Sequence, residues 1–157
     1  CALTFDLAAT AGREALAEAG IDGDFGGPLF LASPPVELTW PDRLAIYRMS
    51  SSGEGYRRLT EAAREGKARA MHEETLFGTR GLPVTTSTAC ASGATAIQLG
   101  VEAIRRGEAD RALAIGADGS ACAELMIRFS LLSALSMQNE RPERASKPFS
   151  RDRDGFV

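Results

Sequence analysis

The stretch LPVTTSTACASGATAIQLGVEAIRRG at residues 82–107 determines the fold that we expect for this chain. It opens with the β-branched and hydroxyl-bearing run VTTST, which favours an extended strand. Five small residues follow, and from Ala94 onward apolar side chains recur every three or four positions, as on one face of a helix. Gly107 is placed to end that helix. The sequence therefore predicts a sharp strand-to-helix turn with Cys90 inside it.

A cysteine in such a turn has the setting of a nucleophile. The side chain at a tight strand-to-helix turn projects outward, and backbone N–H groups face it. The amino end of a helix favours the thiolate, so Cys90 would need no adjacent base. The same N–H groups could stabilise an oxyanion on a thioester attached to the sulfur. Position alone leaves a buried structural cysteine as an equal alternative.

Several segments resemble one enzyme family. The motif TACASG at 88–93 resembles the active-site motif of the β-ketoacyl-[acyl-carrier-protein] synthases, which belong to the thiolase superfamily. FSLLSALS at 129–136, ASKPF at 145–149 and RDGFV at 153–157 resemble further blocks of that family, in the same order and at similar spacing. The resemblance covers residues 76–157 and implies an α/β, thiolase-like fold with α-β-α layers, a mixed sheet and a buried helix after the turn.

The resemblance also implies a function. The protein would be an acyltransferase of fatty-acid or polyketide synthesis that accepts an acyl group on Cys90 and condenses it with malonyl-acyl-carrier protein, with loss of CO₂. The acyl groups would arrive on the phosphopantetheine of acyl-carrier protein, with no cofactor or metal of the enzyme's own. Family members form dimers, so we expect a homodimer through the strand from Pro83 to Thr88.

Two further residues are assigned to the substrate pocket by the resemblance. Phe129 matches a residue that lines the acyl-chain pocket of the family, although a plain core phenylalanine is an equal alternative. The family often has glycine four residues earlier, where this chain has Leu125. We therefore expect a narrower pocket and a preference for short to medium acyl groups.

Two other functions remain open from the sequence. A non-catalytic partner subunit of the chain-length-factor kind resembles the synthases but usually lacks the cysteine, and a coenzyme A-dependent thiolase lacks the RDGFV block. The family's two catalytic histidines, with a lysine and a glutamate, belong to a second half without counterpart in this chain. We therefore expect residues 1–157 to be part of the N-terminal half of a longer synthase, lacking its start and its whole C-terminal half, and unable to complete condensation alone.

The amino-acid composition indicates which partners and which cellular compartment to expect. The net charge of -3 argues against a nucleic-acid partner. Three cysteines without paired spacing fit a reducing, cytoplasmic environment, and we interpret Cys1 and Cys122 as incidental. Because the sequence has no apolar run near ~18 residues, we expect no membrane span.

The rest of the chain carries weaker patterns. Leucine and alanine at helical spacing predict a first helix that ends at Gly20, and the apolar run 29–32 predicts a buried strand. The other expected elements are a mostly irregular segment at 36–56 with one helical turn near 43–48, a helix at 56–74 interrupted near Gly66, a strand at 110–117, a helix at 124–135 and a polar loop at 136–153. The alternating charges of 151–154 predict local ion pairs.

Overall fold

A parallel sheet of three strands lies at the centre of the first of two units. The computed structural model describes residues 2–34, 38, 40–49 and 53–157, and the chain divides into Cys1–Gly119 and Ser120–Val157. The strands of the first unit are β1 (Leu29–Ala32), β2 (Val84–Thr86) and β3 (Leu113–Gly116), in the order β2-β1-β3. β1 is central because all four of its residues are apolar and buried, as expected for a parallel strand covered on both faces.

Helices cover both faces of this sheet. The helices of the first unit are α1 (Ala2–Glu18), α2 (Trp40–Arg48), α3 (Gly53–Phe77) and α4 (Ser92–Arg105). Side chains of a strand alternate between its faces. Leu29 and Leu31 accordingly pack in one core cluster with residues of α1 and with the end of α3. Phe30 and Ala32 pack in a second cluster with residues of α4. The expected α-β-α layering is therefore confirmed, and both strand pairings are parallel rather than mixed.

α1 and α4 each end at a glycine, as predicted. Gly20 has φ 68° and Gly107 has φ 72°, the left-handed conformation that glycine adopts without steric cost. The next N–H then bonds back five residues, as from Ile21 to the carbonyl of Leu16 at 2.9 Å. At the end of α4 the N–H of Glu108 bonds in the same way to the carbonyl of Ala103 at 3.0 Å, so both helices end in a Schellman motif.

α2 and α3 are longer than the sequence indicated. The segment expected to be mostly irregular contains α2, a helix of nine residues, while residues 36, 37, 39 and 50–52 of that segment lie outside the described residues. Pro41 is the second residue of α2, where its fixed φ and missing N–H are tolerated. α3 runs for 25 residues through Gly66 without interruption, because one glycine costs a helix only ~1 kcal/mol. Among the described helices, none is long and apolar enough to cross a membrane.

One side of α4 is uncovered. Ala96 is fully buried and Gly100 is buried, and both lie on the side of the helix that packs on the sheet. Ile97, Val101 and Ile104 are 60%, 39% and 43% exposed. The expectation of a buried helix is therefore wrong for this side, since the small residues, not the large ones, make the contact with the sheet.

The second unit contains α5 (Ala123–Leu131) and a short 3-10 turn at Pro142–Arg144. α5 ends four residues before the expected position. Ser133 adopts a left-handed φ of 53°, and the N–H of Ala134 bonds to the carbonyl of Phe129 at 3.0 Å. The helix therefore ends in the same Schellman motif with serine in the usual place of glycine.

Candidate active site

Cys90 lies in a tight turn between β2 and α4. After β2 the backbone passes through Thr88, and Ala89 then takes a left-handed φ of 52°. Residues Ala89–Ala91 form one 3-10 turn, and α4 begins at Ser92. The Cys90 side chain is exposed. The predicted strand-to-helix turn is present, with the extra 3-10 turn inserted between strand and helix.

The hydroxyl of Ser92 holds this turn closed. It accepts a hydrogen bond from the N–H of Thr88 at 2.8 Å and donates one to the carbonyl of Ala89 at 2.7 Å. The N–H of Ser92 also bonds to the carbonyl of Ala89. Both flanks of Cys90 are thus tied to one side chain, which fixes the backbone that carries the sulfur.

A second pair of hydroxyls braces the same turn. Thr95 donates to the carbonyl of Ala91 at 3.0 Å, and its oxygen lies 2.9 Å from the hydroxyl oxygen of Thr88. Because the single hydroxyl proton of Thr95 is used in the first bond, Thr88 is the donor in the second. The sequence motifs did not indicate a role for Ser92, Thr88 or Thr95. The signal that could have identified them is the recurrence of hydroxyl residues at positions 88, 92 and 95, close to Cys90 on both sides.

The turn lies at the edge of the sheet where binding sites of parallel sheets occur. All three strands are parallel, so their carboxyl ends lie at the same edge, and ligands of such sheets bind beyond those ends. Cys90 follows the carboxyl end of β2 by four residues. Gly116 ends β3 beside the start of α4, since a Cβ atom on Gly116 would lie 3.5 Å from the Cα of Gly93. An exposed thiol here, at the amino end of a helix, is suited to attack on a carbonyl carbon.

Leu125 and Phe129 lie one helical turn apart on α5 in the second unit, and both are partly buried. The ring of Phe129 meets the ring of Phe156 edge to face, with centroids 4.8 Å apart and an interplanar angle of 83°. Phe129 is therefore held by an aromatic partner that its sequence position did not indicate.

Asp154 binds hydroxyl, amide and backbone donors where ion pairs were expected. Its carboxylate accepts hydrogen bonds from the hydroxyl of Ser136 (2.8 Å), the N–H of Met137 (3.1 Å) and the side-chain amide of Gln138 (3.0 Å). The hydrogen bond from Ser136, followed by that from Met137, holds the pKa of Asp154 below its usual range. The prediction that the charges of 151–154 pair locally is thus wrong for Asp154, because a loop distant in sequence supplies better-placed donors.

The first unit defines an α/β protein with an exposed cysteine at a strand-to-helix turn. The chain belongs to the β-ketoacyl synthase family, since residues 5–157 match the family described as "Beta-ketoacyl synthase, N-terminal domain". The recognition made from the sequence motifs is confirmed.

Similar proteins also carry the names of β-ketoacyl synthases. The chain is 40% identical over 80 residues to 3-oxoacyl-[acyl-carrier-protein] synthase 2 of Vibrio cholerae serotype O1, a match over 51% of this chain and 19% of the relative. It is 39% identical over 80 residues to the tetracenomycin polyketide synthase ketoacyl synthase alpha subunit of Streptomyces glaucescens, over 51% of this chain and 19% of the relative. The matched segments are about a fifth of each relative's length.

A solved structure extends the likeness to almost the whole chain. The crystal structure of a β-ketoacyl synthase from Burkholderia phymatum has a TM-score of 0.70 and 29% sequence identity to this chain. The match covers 98% of this chain and 39% of that one. The expected thiolase-like fold is confirmed, and the chain spans about two fifths of the solved relative.

Proposed function

We propose that the protein containing this chain is a β-ketoacyl synthase in which Cys90 carries the growing acyl group. The exposed thiol in the turn that Ser92 closes is the observation that carries this proposal. The names of the relatives favour it over the two alternatives, a non-catalytic partner subunit and a coenzyme A-dependent thiolase.

The first half-reaction is a thioester exchange. The Cys90 thiolate attacks the acyl carbonyl, the bond to the phosphopantetheine sulfur breaks, and that sulfur leaves as a thiol once it has taken up a proton. The amino end of α4 favours negative charge on the tetrahedral oxyanion. Acyl-carrier protein is the proposed donor, with the acyl group on its phosphopantetheine.

The second half-reaction forms the carbon–carbon bond. Malonyl-acyl-carrier protein loses CO₂, and the electron pair of the broken bond attacks the acyl carbonyl on Cys90. The cysteine leaves as a thiolate, and the product is a 3-oxoacyl thioester on the carrier protein. His72, the one histidine of the sequence, is exposed on α3, and we assign it no part in this step.

Acylation of Cys90 is tested with an internal control. Both Cys90 and Cys122 are exposed and precede a helix, but only Cys90 lies in the turn. Acyl-carrier protein loaded with a C8 chain should add one acyl mass, mapped by peptide mass spectrometry to Cys90. Cys90→Ser should abolish the adduct and Cys122→Ser should retain it. An adduct on Cys122, or on Cys1 (outside the described residues), in preference to Cys90 would exclude this function.

We further propose that Leu125 and Phe129 contact the acyl chain, and that Leu125 favours short to medium chains. The two side chains lie on one side of α5, and Phe129 has a fixed orientation against Phe156. Leu125→Gly should raise the acylation rate for C14 and C16 chains relative to C8. An unchanged ratio would exclude the proposal for Leu125.

We also propose a cytoplasmic homodimer in which β2 pairs with the β2 strand of a second copy. β2 is an edge strand among the described residues, with β1 on one side and an exposed Val84. Val84→Lys places like charges near the two-fold axis and should give monomers by light scattering. Leu59→Lys, at a similarly exposed apolar residue on α3, is the control that should remain dimeric.

A further inference from the structure

The segment that contains Asp154 is joined to the end of α5 by main-chain hydrogen bonds. The N–H of Phe156 donates to the carbonyl of Ala134 at 3.0 Å, and the N–H of Ser136 donates to the carbonyl of Phe156 at 2.9 Å. Ala134 in turn donates its N–H to the carbonyl of Phe129 at 3.0 Å. Ala134 therefore connects Phe156 directly to the last turn of α5.

Gly155 allows this close approach. A Cβ atom built on Gly155 would lie 2.2 Å from the nitrogen of Ser136 and 2.3 Å from the carbonyl carbon of Leu135. Both are main-chain atoms, so no side-chain rotation could relieve the overlap. The two segments are thus in backbone contact at the point where the Phe156 ring reaches Phe129.

The Asp154 carboxylate closes the contact from its other end. One oxygen accepts from the hydroxyl of Ser136 and the side chain of Gln138, and the other accepts from the N–H of Met137. Lys147 adds an outer bond by donating to Gln138 at 2.5 Å. An ionised carboxylate binds such donors more strongly than a neutral acceptor does. Asp154 therefore keeps residues 136–138 against residues 154–156.

We propose that Asp154 is a positioning residue that sets the orientation of Phe129 through Phe156 and thereby determines acyl-chain selectivity. The connection runs from the carboxylate to Ser136 and Met137, through the backbone contact at Gly155, to the ring pair. It rests on the proposed function, in which Phe129 contacts the acyl chain. Asp154 itself touches neither substrate nor Cys90 in this scheme.

The test measures acylation of Cys90 across a C4–C16 series of acyl-carrier proteins, in the full polypeptide that contains this chain. Asp154→Asn keeps the size of the side chain but leaves one acceptor oxygen where the carboxylate has two. We expect the ratio between the best and the worst chain length to fall about 10-fold, because a hydrogen bond to a charged group is lost. Ser136→Ala removes one of the three bonds to the carboxylate, together with the bond that the hydroxyl accepts from the N–H of Gln138, and should lower the ratio less. Ser136→Thr keeps the hydroxyl and should give a ratio close to that of the wild type.

Asp152→Asn is the matched control. It removes the same charge two residues away, and no hydrogen bond or ion pair of the Asp152 carboxylate occurs among the described residues. The chain-length ratio of this variant should equal that of the wild type. An equal loss in both variants would overturn the proposal, because charge alone would then explain the effect.

A double-mutant cycle separates positioning from general destabilisation. Phe129→Ala should also flatten the chain-length series, and adding Asp154→Asn to it should change the ratio no further, since both act through one ring. Additive effects of the two substitutions on the chain-length ratio would overturn the proposal.

If Asp154→Asn does not fold, Ser136→Ala replaces it in the same cycle. Wild-type protein that is not acylated on Cys90 would refute the proposed function instead, whereas acylated protein with an unchanged ratio in Asp154→Asn would refute this inference alone.

Discussion

Ala89 stores backbone strain directly beside Cys90. Its φ of 52° lies in the left-handed region, which costs a residue with a Cβ atom about 1 kcal/mol or more. The bonds from Ser92 hold the turn in this conformation. Strain of this kind is retained where the surrounding structure fixes the conformation, as in a site that must present a side chain outward.

We expect Ala89→Gly to stabilise the protein by up to about 1 kcal/mol, because glycine adopts this conformation without the Cβ conflict. The denaturant midpoint measures the effect. Ala91→Gly is the control, since Ala91 has a φ of -91° and glycine should destabilise it by about 0.5–1 kcal/mol. Loss of stability in Ala89→Gly would show that the turn is unstrained.

We expect the stability of the folded protein to depend on pH through the carboxylate of Asp154. The hydrogen bond from Ser136, followed by that from Met137, lowers its pKa in the folded protein below the ordinary value for an aspartate. A group with a depressed folded pKa contributes stability above its unfolded pKa, and this contribution is lost as the pH falls through the folded pKa. The stability difference between wild type and Asp154→Asn should therefore be constant from about pH 5 to 8 and shrink below about pH 4. Unfolding midpoints measured over that range check this, and a difference that grows on acidification would contradict it.

At the scale of whole elements, three helices end in the same motif and the sequence revealed two of them. Gly20 and Gly107 mark the ends of α1 and α4, because glycine is the usual residue in the left-handed position. The end of α5 was placed four residues late, since Ser133 fills that position without any compositional signal. Helix ends are predictable from sequence only where the residue's own conformational preference determines them.

Ser133→Gly should stabilise α5 by up to about 1 kcal/mol, because the left-handed residue then loses its Cβ conflict. The thermal unfolding midpoint should rise. Ser130→Gly, inside the same helix, is the control and should lower it. Equal shifts in both variants would contradict the assignment of the helix end.

We expect the turn before α4 to affect the reactivity of the Cys90 thiol. Ser92→Ala removes both hydrogen bonds of the Ser92 hydroxyl and should cost about 1–2 kcal/mol of stability. It should also slow alkylation of Cys90 by iodoacetamide relative to Cys122, which lies outside this turn. Ser92→Thr keeps the hydroxyl and should preserve the ratio of the two rates. An unchanged ratio in Ser92→Ala would show that Ser92 does not shape the site.

Much of this site was recoverable from sequence, and the remainder depended on contacts between distant residues. The small residues around Cys90 and the apolar run of β1 indicated strand, turn and helix correctly, because each is a local preference. The hydrogen bonds of Asp154 join residues that are 16–18 positions apart in the sequence, so no local sequence pattern could predict them. Only one helical turn near 43–48 was predicted where α2 spans nine residues, although Pro41 in the first turn suits the start of a helix.

For the whole chain, the uncovered side of α4 sets the expected behaviour in solution. Ile97, Val101 and Ile104 form a contiguous apolar stripe at helical spacing. The 157-residue chain, expressed alone, should self-associate through such exposed surface and release no CO₂ from malonyl-acyl-carrier protein. Ile97→Lys should reduce association in sedimentation experiments, while Arg105→Lys on the same helix should not. Cys90-dependent CO₂ release by this chain alone would contradict the expectation.

The small residues beneath α4 have a consequence for the engineering of this protein. A Cβ atom on Gly100 would lie 3.3 Å from the Cβ of Ala112, so the helix rests on the sheet with almost no clearance. A helix is stiff along its axis, and a shift imposed at mid-length is carried to its amino end, where Cys90 precedes it by two residues. The position of the Cys90 sulfur therefore depends on the small residues that lie between α4 and the sheet. Substitution of Gly100 by a larger residue would therefore move Cys90 away from the position that the proposed mechanism requires.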